Sequence, residues 1–123
     1  HVITISIDGV VIVAEQQGWS VIANCKSYAR GFNPAKNADI ADGVIDVIFL
    51  PMKSRWRLFW WLFLMFCGKQ VEHSKSVYAR GKQVIVEVQE SSPWQLDGDS
   101  IGDNTKLILE CVPNSLLVFQ ATS

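Results

Sequence analysis

Cysteine is scarce: Cys25, Cys67 and Cys111 are the only three in 123 residues. They are too few and too widely spaced for a disulfide framework or a CxxC metal site. Each lies in or beside an apolar run with no histidine to activate it, so they read as free thiols of a cytosolic protein, small core residues rather than nucleophiles. Histidine is scarcer still. His1 is terminal and His73 falls in the polar run "KQVEHSKS", a setting for a solvated loop, so no Ser/His/Asp constellation is supported.

Charge of either sign is also short of an excess. Eleven basic residues face 12 acidic ones, a net charge of -1, so no global field steers the chain onto nucleic acid or an anionic membrane, and no nucleic-acid partner is expected. There is no Walker A pattern and no Gly-rich turn between a strand and a helix, so a phosphate-cradling loop is missing. The longest apolar run, Leu58 to Cys67, has ten residues, and crossing a bilayer takes about 20. The chain opens at His1 and runs straight into "VITISI" with no charged n-region or small-residue cleavage site, so no signal peptide is visible. A start inside a strand suggests a fragment.

What is present has the length of one domain, residues 1–123, with room for a real core. Val2 to Ile7, Asp8-Gly9 and Val10 to Ala14 read as a hairpin, because Asp-Gly between apolar runs favours the turn such a connection needs. Ser20 to Cys25 reads as another strand, and Lys26 to Asp42 as a long loop of the kind that is often functional. Val44 to Leu50 is apolar almost throughout, apart from Asp46, which suggests a strand covered on both faces. "SRWRLFWWLFLMFCG" then offers a Ser N-cap, no breaker and a Gly stop, a helix over about residues 54–67. Strands return at Gln83 to Gln89, Lys106 to Val112 and Ser115 to Gln120. Roughly seven short strands and one helix make a mainly β, β-sandwich-like domain.

Three features carry chemistry. The helix has two readings: buried nearly all round across the sheet, or an interfacial patch in which Trp56, Trp60, Trp61, Lys53, Arg55 and Arg57 meet lipid. "NADIADGVIDV" holds Asp39, Asp42 and Asp46. Acids there are commonly turn-formers, yet Asp39 and Asp42 before Gly43 can also fold oxygen ligands around a hard cation such as Mg²⁺. "LDGD" reads as a hairpin turn, but with two carboxylates, Asp97 and Asp99, flanking one Gly where folding demands neither.

Taken in order, "NADIADGVIDVIFL", the helix, "CGKQVEHSKSVYARGKQVIVEVQESSPWQLDGDS" and "LILECVPNSLLVF" resemble the C-terminal domain of the diacylglycerol kinase and sphingosine kinase family, including the bacterial lipid kinases. The resemblance spans nearly the whole chain and rests on the order and spacing of the motifs. It implies an ATP-dependent kinase whose N-terminal domain, with a "GGDGT" loop, holds the nucleotide, while a C-terminal β-sandwich shapes the lipid site. No "GGDGT" occurs here, so the chain resembles the second domain alone and is expected not to turn over ATP by itself.

The family's "DGE" glutamate, credited with taking the proton from the lipid hydroxyl, falls on Asp99, and the Asp of that motif on Asp97. Asp99 is one methylene shorter than Glu, which matters where reach is sensitive to about 1 Å. The family's structural Mg²⁺ site falls on the Asp42 carboxylate, with the backbone carbonyls of Asp39 and Val44 as companions. The resemblance thus implies a lipid substrate, Mg²⁺ and ATP as cofactors, and a cytoplasmic protein with peripheral membrane contact. The runner-up is a non-catalytic β-sandwich module whose Trp-rich helix docks a lipid or a protein. A third reading has the excised domain exposing strand edges and forming a homodimer.

Overall fold

Ile3, Ile5 and Ile7 alternate with Val2, Thr4 and Ser6, and a period of two sends the isoleucines to one face of a strand. The computed structural model, which describes residues 1–24, 38–67, 75–96, 99–113 and 115, buries all three on that face. The elements are β1 (Val2–Ile7), β2 (Val10–Ala23), β3 (Ile45–Pro51), α1 (Arg55–Phe66), β4 (Val77–Gly81), β5 (Gln83–Leu96) and β6 (Asp99–Glu110). They form a six-stranded sheet in the order β4-β3-β2-β1-β5-β6. Every neighbouring pair is antiparallel.

Strand β2 folds this sheet over on itself. Its first part, from Val10 to Gln17, pairs with β1, and its second part, Gly18 to Ala23, pairs with β3. Within the first part the register slips, and Glu15 takes a positive φ of 46°, the local twist expected of a β-bulge. The fold brings Ile45, Val47 and Phe49 of β3 onto Ile3, Ile5, Ile7, Val13, Val84, Val86 and Val88 in one core. The alternate residues of β3, Ile48 and Leu50, face the other way and pack with Ala38, Trp61, Leu64 and Met65. Six consecutive residues of β3, Ile45 to Leu50, are therefore buried, as an apolar run without alternation predicts. The architecture is the expected mainly β, sandwich-like domain with one helix.

The Asp8-Gly9 turn does more than reverse the chain. Both residues have positive φ, 48° and 83°, as a two-residue hairpin requires. The Asp8 carboxylate then accepts hydrogen bonds from the amides of Lys82 (3.1 Å) and Gln83 (2.9 Å), which ties the first hairpin to the β4–β5 corner.

Several elements differ from the sequence reading. The segments 10–14 and 20–25 are one strand up to Ala23, because the polar, Gly-containing Glu15 to Trp19 is where β2 changes partners rather than a break. Strand β4 follows a polar run and was not anticipated. Strand β6 begins at Asp99, well before Lys106. Most of the strand expected at Ser115 to Gln120 lies outside the described residues. Helix α1 has its N-cap at Ser54, whose side chain makes no capping bond; its carbonyl instead accepts from the Arg57 amide at 3.0 Å. The helix is not buried all round. Trp61, Leu64 and Met65 face the sheet, with Trp61 Nε1 donating to the Pro51 carbonyl at 3.1 Å, while Trp56, Phe59, Trp60, Phe63 and Phe66 are exposed.

Gly18 sits where β2 changes partners. A Cβ there would stand 2.5 Å from Phe49 Cζ and 2.6 Å from the Leu50 carbonyl oxygen, and the carbonyl belongs to a strand fixed on both sides. Gly18→Ala is expected to cost about 1–3 kcal/mol through overpacking, read as a lower urea midpoint at unchanged slope. An unaltered midpoint would mean that the crossing point has room to shift.

Candidate functional site

The acidic loop is built by its own short side chains. Asp39 Oδ1 accepts from the Ala41 amide at 3.0 Å, and Asp42 Oδ1 accepts from the Val44 amide at 3.1 Å. These are Asx turns in series, the local geometry that Asp favours, and Gly43 supplies a positive φ of 72° within the second. The Asp42 amide donates to the Asp39 carbonyl at 3.3 Å. The chain then enters β3, where Asp46 lies opposite Arg80 and Ile48 opposite Tyr78. A period of two places Asp46, Tyr78 and Arg80 on the sheet face that α1 covers.

There the charges converge. Arg80 Nε meets Asp46 Oδ1 at 3.1 Å, the Arg80 Nη2 group meets Asp42 Oδ2, and the Tyr78 hydroxyl donates to Asp46 Oδ1. Asp46 is completely buried, and its Oδ2 has no hydrogen-bond partner among the described residues. Partial desolvation pulls the Arg80 guanidinium down, but the fields of Asp46, Tyr78 and Asp42 outweigh it and hold the group above its ordinary value.

A hard divalent cation needs carboxylate and carbonyl lone pairs turned toward it. Here Asp42 Oδ1 faces an amide, Asp42 Oδ2 faces a guanidinium, and the Asp39 carbonyl accepts the Asp42 amide. The buried Asp46 Oδ2 is the oxygen still wanting a donor or a charge. No group of three His, Cys, Asp or Glu side chains converges among the described residues. A dication seated on Asp42 Oδ2 would lie a few ångströms from the guanidinium, a repulsion of several kcal/mol even at an effective dielectric of about 20. The arrangement fits Arg80 and does not fit Arg80 and a divalent cation together.

The second acidic cluster lies elsewhere. Leu96 pairs with Asp99, so the hairpin expected at "LDGD" joins β5 to β6; Asp97 lies outside the described residues. Asp99 is exposed, and its carboxylate makes no hydrogen bond or ion pair among the described residues. The acidic loop adjoins the other end of β5, since Ile45 pairs with Gly81, two residues before Gln83. At about 3.3 Å per residue the length of β5 puts roughly 40 Å of strand between the two ends, less where it bends. The bend has a source: from Glu87 to Ser92 β5 advances five residues while β6 moves two, from Lys106 to Asn104. The structure therefore does not bring Asp39, Asp42 and Val44 together with Asp99.

Residues 1–120 match the family described as the YegS C-terminal NAD kinase beta sandwich-like domain. The chain belongs to this family. The YegS C-terminal assignment covers nearly every residue, and it bears out the resemblance of the motifs to the C-terminal domain of diacylglycerol-kinase-like proteins. Two solved structures, each described as a "putative diacylglycerol kinase" from Bacillus anthracis str. Sterne, share the fold. One superposes with a TM-score of 0.68 at 19% identity, covering 91% of this chain and 38% of that one. The other gives 0.71 at 17% identity, covering 91% and 36%. This chain thus spans well under half the length of the structures it matches. No curated protein matches it significantly.

Within this YegS C-terminal domain, Tyr78 and Arg80 are functional-looking residues that the sequence reading passed over. Their signal was present: "VYARG" places both on one face two residues apart, and Asp46 is the one charge in a buried apolar strand, which needs a paired donor. Tyr78→Phe removes a donor from a buried carboxylate and is expected to cost about 1–3 kcal/mol, measured by chemical denaturation. A loss near zero would mean that Asp46 is satisfied without it.

Proposed function

We propose that this domain is the lipid-substrate side of an ATP-dependent lipid kinase, in which the γ-phosphoryl group passes to a hydroxyl of a diacylglycerol- or sphingosine-like lipid. The observation that carries the reading is the family match over residues 1–120 together with an exposed carboxylate, Asp99, at the start of β6, which has no partner among the described residues. An exposed carboxylate at the start of a strand is open to a partner from outside. In this reading Asp99 accepts the proton of the attacking lipid hydroxyl, and Asp97, two residues earlier in the sequence, is the other acid of the family motif. Mg²⁺ and ATP, held mainly by a nucleotide-binding domain outside this chain, supply the phosphoryl group and offset its charge when bound.

The outer face of α1 supports a lipid partner. Trp56, Phe59, Trp60, Phe63 and Phe66 follow one another at helical spacing and are each more than half exposed, with ring centroids 6.2 Å apart for Trp56 and Phe59 and 6.0 Å for Trp60 and Phe63. From Val47 to Val71 the sequence carries four cations, Lys53, Arg55, Arg57 and Lys69, and no acid. Such a pairing of aromatics with cations suits the headgroup boundary of an anionic membrane. A groove of about 250 Å³ between Arg57, Lys75, Trp60 and Trp61 lies on this side. No helix among the described residues is long and apolar enough to cross a membrane, so the contact is peripheral.

The intact protein tests both parts. Asp99→Asn is expected to lower lipid-dependent ATP consumption by about 100-fold or more, the contribution of a general base, across diacylglycerol, sphingosine and phosphatidylglycerol as acceptors. Full activity in the variant would remove Asp99 from the chemistry, and no activity with any of the three in the native protein would favour a binding module. Trp60→Ser with Phe63→Ser is expected to reduce co-sedimentation with phosphatidylglycerol vesicles by about tenfold or more. Trp61 is left unchanged because it is core. Vesicle binding equal to that of the native protein would detach the helix from the membrane role.

A further inference from the structure

The resemblance implies a divalent cation at the acidic loop, whereas the charges of the structure point elsewhere. We infer that Arg80 does the cation's work in this chain: an internal guanidinium, and no bound Mg²⁺, holds the Asp42 loop against strand β3. The inference concerns the loop alone and stands whether or not the lipid-kinase reading holds.

Three observations converge. First, the Arg80 guanidinium bridges two acids that belong to different pieces of backbone, Asp42 in the loop through Nη2 and Asp46 in β3 through Nε. A structural cation at this place would make the same bridge, and a planar fork of donors suits two carboxylates as a point charge does not. Second, Arg80 is placed by β-sheet register rather than by a flexible loop, since it pairs directly with Asp46 across β3 and β4. Its Nε contact with Asp46 is therefore fixed by the pairing of the two strands. Third, both Asp42 oxygens and the Asp39 carbonyl, three of the oxygens expected to hold the cation, already have partners: Asp42 Oδ1 the Val44 amide, Asp42 Oδ2 Arg80, and the Asp39 carbonyl the Asp42 amide. Asp46 Oδ2 stays open, yet it is completely buried and its other oxygen carries both Arg80 and Tyr78. One positive charge among Asp42 and Asp46 leaves the trio with a single net negative charge, whereas adding a dication would reverse its sign beside a cation that cannot deprotonate.

The test is thermal unfolding of the intact, nucleotide-free protein in chelator and in millimolar MgCl₂, with ionic strength matched by KCl. The native protein is expected to melt at the same temperature in both, and calorimetric titration with MgCl₂ is expected to show no site at this loop. Arg80→Gln leaves Asp46 buried without its cation and is expected to lower Tm by about 5 °C or more. Should that variant fail to fold, Asp42→Asn carries the same question, because it weakens the bridge while leaving Asp46 paired; its Tm is expected to fall equally in chelator and in Mg²⁺. Two outcomes overturn the proposal. One is a native Tm that rises with Mg²⁺ and loses that rise in Asp42→Asn, which would return the loop to the metal. The other is an Arg80→Gln protein as stable as the native one.

Discussion

Strand β3 has no face turned to water, and a buried carboxylate stands in it. Ile45, Val47 and Phe49 close the inner core, Ile48 and Leu50 form the floor on which α1 rests, and Asp46 shares that second face with them. A buried anion is tolerated only when cations and donors surround it. The requirement for Arg80 and Tyr78 in the next strand follows from that, and so does the register of β3 against β4, since a slip by one residue would turn both partners to the opposite face. The loop before β3 is anchored through the same guanidinium. One charge in an apolar strand thus ties a strand pairing and a loop together.

The hairpin that carries Asp99 is organised on different terms. Residues Asp99 to Lys106 are exposed along their whole length, and Trp94 Nε1 donating to the Asn104 carbonyl at 2.9 Å adds a side-chain bond to the ladder that pairs the two strands beyond the bulge. The acidic loop, itself exposed from Asp39 to Asp42, is tied to the buried Asp46 through Arg80, whereas the outer strand of the hairpin has no such tie to the core. Proteins often place reacting groups on such outlying segments and leave rigidity to the scaffold, and the separation of the two acidic clusters follows that division.

How much of this was legible depended on how local the signal was. The β1–β2 hairpin was plain, because Asp8-Gly9 states its own turn and Ile3, Ile5 and Ile7 state their own face. The buried nature of β3 was equally plain from its run of apolar residues. Strand β2 was read as two pieces because Glu15 to Trp19 looks like a loop by composition, and only its change of partners explains why a polar stretch stays extended. Strand β4 was invisible for a related reason: five residues with one Gly give little periodicity, and what makes them a strand is Asp46 across the ladder. For α1 the position was clear but not the exposure, since a run apolar on every side does not say which side meets the sheet. Trp61 is buried and Trp60 is half exposed, although they are neighbours of the same type. Arg80 was missed because its role is a relation between three segments, and no single stretch of sequence contains it.

The projecting β5–β6 hairpin has an evolutionary consequence. Because its outer strand is exposed from Asp99 to Lys106 and adds little to the buried cores, substitutions there alter chemistry at small cost to folding. A lineage could exchange, shorten or lose the acid at this tip and keep a soundly folded domain. Changes at Asp46 or Arg80 have no such freedom, since they act on the scaffold itself. Related domains should therefore diverge in activity first at the hairpin, and retain the β3–β4 pairing long after the reaction has changed.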